Sequence, residues 1–489
     1  MYFRSRLDRI DTFIQQPVAA QHQTLRELLH KGQGTVFGRQ FLAGVKDYQS
    51  FRQMVPLQDY ESHQPYFERM RRGERDVLWP GSIRWFAKSS GTSGAASKFI
   101  PVSAEGLKKL HIGTGKDYLS CYLRNVPHSV FFEGKGLVMG GSISIDPSFP
   151  KVFCGDVSAI MMKNLPGWIQ HFRTPGLAVA LIDSWERKLD AIAKESVGQN
   201  ITNLSGVPSW TLLLLERVLQ LTKSKVIAEV WPNLEFYAHG GVSMKPYLPA
   251  FQQRIGKPIH YLNIYNASEG FFAFQDQLDD DAMLLDTDNG TYYEFIPLKH
   301  TDSGLNAIPL EDVKPGIIYA MVVTTNCGLW RYQIGDTVEF VSVRPYRLRI
   351  VGRTQHFINV AGEEVMVSNT DQALAMTCNE LHLMVKEYTA APNFISGKVQ
   401  FHEWAIEFAT PPDDLKKFQD LLDKNLQNVN SDYAAKRTND LILSQLRVHV
   451  LSHGTFYKWQ DRNKRLGGQQ KIMRLSNNRD FLDIILHLK

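Results

Sequence analysis

Cysteine is scarce. The four in this 489-residue chain (Cys121, Cys154, Cys327 and Cys378) stand far apart, with no C-x-x-C pair and no histidine beside them at metal-ligand spacing. That excludes a disulfide framework and a cysteine-held metal, and predicts buried, reduced thiols in a cytoplasmic protein. Charge of one sign is scarce as well. Fifty-five basic residues face 50 acidic ones, a net charge of +5, too small an excess to demand nucleic acid as a partner. No apolar run is long enough to span a bilayer, and Arg4, Arg6, Asp8 and Arg9 interrupt the N-terminus before a signal-peptide core could form. Internal repeats and long low-complexity linkers are absent too.

With 43% hydrophobic and 21% charged residues, the composition is that of a folded, water-soluble chain, and the length predicts two or three domains. The first 80 residues read as mainly helical, Leu25, Leu28 and Leu29 marking a buried face. A helix is predicted over 107–123, and another begins at Pro208. Gly136–Ile145 and Ile317–Thr325 read as buried strands, so the large N-terminal part is α/β with mixed sheets and helices. Beyond Gly352-Arg353 the texture changes. A short hairpin (357–367) is followed by a helix to Leu381, which Ser368 and Asp371 would cap, and then by a strand at 399–409. An amphipathic helix from Leu415 and a strand at 446–451 complete a small α+β unit. The predicted division is 1–352 and 353–489.

Three clusters carry candidate chemistry. Ser89-Ser90-Gly91-Thr92-Ser93-Gly94, followed by Lys98, is dense in hydroxyls and unhindered N–H groups, which suits a turn around a polyphosphate. Its spacing fits neither G-x-x-x-x-G-K-[ST] nor G-x-G-x-x-G, and a flexible loop is the alternative. Tyr265-Asn266-Ala267-Ser268-Glu269-Gly270 follows the predicted strand 259–264, at the strand end where open α/β sheets bind ligands. There an aromatic ring can stack on a base and a carboxylate can hold Mg²⁺; a capped turn explains the same residues. Gly240-Gly241, just upstream, permits close backbone approach to a ligand or forms a plain turn. The third cluster, Trp330-Arg331-Tyr332-Gln333-Ile334-Gly335-Asp336, pairs a glycine that allows a sharp turn with a carboxylate for a ribose diol. Near the end, Lys458, Arg462, Lys464, Arg465, Lys471 and Arg474 form a basic stretch, read either as a solvated surface or as a loop that brings Lys471 to a phosphate.

The wording SSGTSGAASKFIP, YNASEG and YQIGD, joined by GRTQHFINVAGEEV and LGGQQKIMRLSNNRDF, resembles the Gretchen Hagen (auxin-responsive promoter) family of acyl-acid amido synthetases, particularly their bacterial relatives, within the adenylate-forming superfamily. The likeness runs from Phe37-Gly38-Arg39 to the C-terminus. It implies a large N-terminal domain, a small mobile C-terminal domain, and two steps between them. A carboxylate attacks the α-phosphate of ATP to give an acyl-adenylate, and the amine of an amino acid then displaces AMP. Carried over by position, Ser89, Ser90, Gly91, Thr92 and Ser93 would hold the phosphates. Tyr265 would stack on adenine, with Gly241, Asn266 and Ser268 also at the nucleotide, and Glu269 would help bind Mg²⁺. Asp336 would take the ribose, Arg353 would sit at the hinge, and Lys471 would reach the α-phosphate. Thr92, Glu269 and Lys471 form the expected catalytic set.

Two anions must meet in such a reaction, so cations and oriented N–H donors matter more than a strong base. Two positions depart from the pattern: Gln333 stands where the family often has Arg, and Thr354-Gln355-His356 lacks the acidic pair of many superfamily hinges. For the acid, Tyr118, Tyr122, Trp210, Phe271 and Phe272 are candidate pocket residues, with core packing as the alternative, and His239 is a candidate substrate contact or a structural histidine. Rival readings are an acyl-coenzyme A ligase sharing the adenylation step, and a non-catalytic nucleotide-binding or interaction protein.

Overall fold

The computed structural model describes residues 2–89, 98–141, 143–146, 148–182, 185–245, 247–298, 306–354, 357–358, 363, 365–395, 398–437, 443–462 and 472–488. Five helices lead the chain, from Tyr2–Gln15 to Tyr60–Arg71. They pack as the sequence requires: Leu25, Leu28 and Leu29 are all buried, in the core that also holds Phe37, Phe51, Phe67 and Trp330.

The organising element is a 12-stranded sheet with two halves. In one, the strands 173–174, 135–138, 201–206, 236–240 and 260–266 run parallel. From there the direction alternates through 271–275, 283–285, 346–353, 332–343, 318–325, 291–297 and 308–309. The parallel half is covered by the helices Trp185–Val197, Pro208–Thr222 and Leu248–Ile255, which bury Ile192, Leu214, Leu215, Val218 and Phe251 against Leu204 and Tyr237. A sheet covered in this way leaves ligands only the ends of its strands. Among the described residues, no helix is long and apolar enough to cross a membrane.

Two sequence expectations need correction. The run 136–145 is not one strand: Lys135–Val138 joins the large sheet, whereas Ile143–Asp146 belongs to a separate four-stranded sheet. The break falls at Gly140-Gly141, where the backbone passes so close to Asp156 that a Cβ on Gly141 would lie 1.5 Å from its Oδ2. Nor does Ser368 with Asp371 cap the helix Val367–Leu381. Its cap is Met366, whose N–H donates to Asn369 Oδ1 at 2.9 Å, while Asp371 is buried and paired with Arg474 at 2.7 Å.

The large sheet's strand 346–353 ends at Arg353. Beyond it lie a two-stranded piece (357–358 with 365–366) and a three-stranded sheet of 385–395, 398–408 and 447–451. The helices 367–381 and 415–429 supply the core of this smaller C-terminal region, burying Leu374, Phe418, Leu422 and Leu426 around Trp404.

Candidate active site

A cleft of about 1230 Å³ separates the large sheet from the C-terminal region. Its floor carries two of the three sequence clusters. The strand His260–Asn266 delivers Tyr265 and Asn266, and a tight turn follows, in which Ala267 N–H donates to Gly270 O at 2.8 Å. Gly270 is required there, because a Cβ would approach the Phe272 ring to 2.6 Å. Asp336 arrives from the strand 332–343. Against its neighbour, Ala320 pairs with Thr337 and Val322 with Gln333, so Ile334, Gly335 and Asp336 bulge out of the ladder, and Gly335 adopts φ +82°. On the other side Asp336 pairs directly with Arg353.

The bulge aims Asp336 at two donors. Tyr265 Oη donates to Asp336 Oδ2 at 2.8 Å, and Arg353 Nε donates to Asp336 Oδ1 at 2.9 Å. Glu269 is buried beside them, 8% exposed. Burial first, and then the negative charge of Asp336, push its carboxyl up to about 7, with Arg353 and Lys98 pulling the other way. Arg353 is held charged by Asp336, and burial keeps Tyr265 a neutral phenol. Lys98 lies at the foot of the Ser/Gly loop, where the strands Trp85–Ser89 and Lys98–Val102 pair through Ser89 and Lys98. Its charge is felt at Glu269.

Gly241, Tyr265, Asn266, Ser268, Glu269, Asp336, Arg353 and His239 all line this one cleft. Burial pushes His239 down to about 4, leaving a neutral imidazole at pH 7. His239 Nδ1, Tyr261 Oη and Asn266 Oδ1 are buried without a partner among the described residues, and all three residues line the cleft. Orphaned polar atoms clustered on one cavity mark a surface that a ligand completes. Ser90, Gly91, Thr92, Ser93 and Lys471 lie outside the described residues, as does the side chain of Ser89.

The five proposed acid-pocket aromatics do not line the cleft. Tyr118 and Tyr122 pack on Phe236 with ring centroids 5.8 and 4.4 Å away. Phe271 and Phe272 are buried in the sheet, Phe272 supporting Tyr265 edge-on at 5.3 Å, and Trp210 is 8% exposed. The helical spacing that singled out Tyr118 and Tyr122 is the spacing of a core face. Conversely, sequence reasoning placed Arg474 in a basic stretch read as solvated. It is 5% exposed, ion-paired with Asp371 and Glu387, and lines the cleft together with Ile472 and Met473. Its signal was the apolar flanks Ile472, Met473 and Leu475 on either side of it, which a tally of charge passes over.

Three family models match the chain in succession: the GH3 family N-terminal domain over residues 6–259, the central domain over 284–353 and the C-terminal domain over 368–480. The chain belongs to the GH3 family. Among GH3 relatives, a probable indole-3-acetic acid-amido synthetase of Arabidopsis thaliana is 24% identical over 520 residues, covering 90% of this chain and 85% of its own length. A 4-substituted benzoates-glutamate ligase of the same plant is 22% identical, covering 90% and 89%. The GH3 fold is likewise that of a solved acyl acid amido synthetase in complex with 2,4-DB, with a TM-score of 0.79 at 18% identity over 99% of this chain and 96% of that one. A 2-hydroxyisobutyryl-CoA ligase in the postadenylation state shares the fold more distantly, with a TM-score of 0.57 at 13% identity over 96% and 91%. This GH3 chain therefore has the architecture of adenylate-forming enzymes.

Proposed function

We propose that the chain is an ATP-dependent acyl-acid amido synthetase, a ligase that activates a carboxylic acid as an acyl-adenylate and transfers the acyl group to the amine of an amino acid. The observation that carries this reading is the convergence of Tyr265, Glu269, Asp336 and Arg353, contributed by three strands and a turn, on one cleft in a GH3 chain.

In this reading Tyr265 presents its ring to the adenine, fixed in place by Phe272 behind it and by its hydroxyl bond to Asp336. Asp336, oriented from both sides, accepts the ribose hydroxyls, and Arg353 holds its charge in place. The loop 89–93 supplies hydroxyl and N–H donors to the phosphates, with Thr92 foremost. Lys471 brings a cation to the α-phosphate, so that a carboxylate can approach an already anionic centre. Gly241, Asn266 and Ser268 line the base, and His239, a neutral imidazole, contacts the substrate. The residues present fit Mg²⁺, which ordinarily needs only one or two carboxylates beside substrate phosphates. Glu269 is a buried carboxyl whose ionisation nothing nearby fully compensates. Held there, the ion would neutralise phosphate charge. Arg353, where the strand 346–353 ends, serves as the hinge between the two parts.

The test is ATP–pyrophosphate exchange across a panel of carboxylic acids, followed by acceptor competition between an amino-acid mixture and coenzyme A. Acid-dependent exchange with amide as the product supports the assignment. Thioester formation in preference to amide would reassign the chain as an acyl-coenzyme A ligase, and absence of exchange with every acid would leave a nucleotide binder.

A further inference from the structure

Arg474 joins the two parts of the molecule in an asymmetric way. Its Nη1 donates to Asp371 Oδ1 at 2.7 Å and its Nε to Glu387 Oε1 at 3.2 Å. Tyr388 Oη donates to Asp371 Oδ1 at 2.6 Å, and the Tyr388 ring centroid lies 5.1 Å from the guanidinium carbon. All four residues belong to the C-terminal region. From the other side of the cleft, among the described residues, the hydrogen-bond partner is a neutral phenol, and the charge of Lys245 is also felt at Asp371. Tyr247 Oη accepts from Arg474 Nη2 at 3.0 Å and donates to Glu387 Oε2 at 3.2 Å. Tyr247 itself is fixed: it is 2% exposed, at the head of the helix Leu248–Ile255, in the same core as Phe251 and Tyr237. The parts also meet where the helix Val367–Leu381 lies along the strand 346–353 and, on the exposed surface, where Tyr457 Oη donates to Glu186 at 2.7 Å.

An ion pair divided between two bodies strands a buried charge on each when they separate, at large cost. Here the guanidinium and both carboxylates travel together, so among the described residues separation breaks two hydrogen bonds to a phenol and weakens the attraction of Lys245 for Asp371, while the Arg474 ion pairs stay intact. The joint is therefore strong enough to define a position and cheap to release. It also sits where position matters, since Ile472, Met473 and Arg474 line the cleft that holds Glu269 and Asp336. We infer that Tyr247 is a positioning residue: its hydroxyl is the detachable contact that sets the C-terminal region over the cleft for adenylation. This rests on the amido synthetase reading for the step concerned, but not for the contact itself.

Tyr247→Phe in the full chain keeps the ring and removes both bonds. Loss of hydrogen bonding to a charged partner predicts a fall of about tenfold or more in the maximal rate of pyrophosphate exchange, with little change in KM for ATP. Amide formation from added acyl-adenylate should be unaffected. Small-angle scattering of the ligand-free variant should give a larger radius of gyration than wild type. Equal losses in both half-reactions, or an unchanged scattering profile, would overturn the inference. If wild type shows no exchange, the catalytic reading fails and the scattering comparison alone decides whether Tyr247 holds the two parts together.

Discussion

Glu269→Gln should stabilise the ligand-free protein while abolishing its chemistry, and the gain should depend on pH. Burial and the charge of Asp336 raise the Glu269 carboxyl from 4.5 to about 7 in the folded chain. Below pH 4.5 the group is protonated in both the folded and unfolded states and costs nothing. Between pH 4.5 and 7 the unfolded chain releases the proton and the folded chain keeps it, so stability falls as pH rises. Above 7 both states have released it and the cost levels off. Integrated, it is about 1 kcal/mol at pH 5 and about 3 kcal/mol at pH 8. Glutamine is neutral throughout and escapes this cost. Thermal melting in EDTA should therefore show a melting-temperature gain for Glu269→Gln several times larger at pH 8 than at pH 5. Adding Mg²⁺ and ATP should narrow the difference, because only wild type gains a carboxylate–cation contact. An equal gain at both pH values, or a variant less stable than wild type at pH 8, would refute the argument that this carboxyl is held against its own ionisation.

Lys471→Ala should lower pyrophosphate exchange by about 10²–10³, with ATP binding by calorimetry much less affected, as expected for a group used in the transition state. Arg331, 4% exposed and bound through two nitrogens to Glu294 at 2.9 Å each, should be irreplaceable on its own. Arg331→Ala strands Glu294 and should cost about 3–5 kcal/mol in urea denaturation, while Arg331→Met with Glu294→Leu should recover most of it. Tyr118→Phe deletes a buried hydroxyl that has no partner among the described residues, so stability should hold or rise and KM for the acid should not change. A raised KM would return Tyr118 to the acid pocket.

The legible part of the fold was the part governed by short-range pattern. Leu25, Leu28 and Leu29 announced a helix face, Pro208 a helix start, and Ile318–Thr325 a buried strand. The cluster around Tyr265 was visible as turn chemistry at a strand end and that around Asp336 as a Gly-Asp turn signal, which the structure realises as a bulge within a strand, and the sheet brings them to one place. What stayed hidden depends on long-range pairing. Nothing local marks Tyr247 as the partner of a guanidinium 227 residues away, or turns Asp371 from a helix cap into a buried ion-pair member. Helical spacing of aromatics could not separate a pocket from a core, and Tyr118 and Tyr122 fell to the core.

The ladder that registers Asp336 against Arg353 belongs to the same continuous sheet as the strand bearing Tyr265. The distances among these three groups are thus fixed by backbone hydrogen bonds, like teeth cut in one plate, and they do not depend on where the opposing C-terminal wall stands. Substitutions on that wall, around Ile472 and Gln372, should therefore leave the spacing of the floor unchanged.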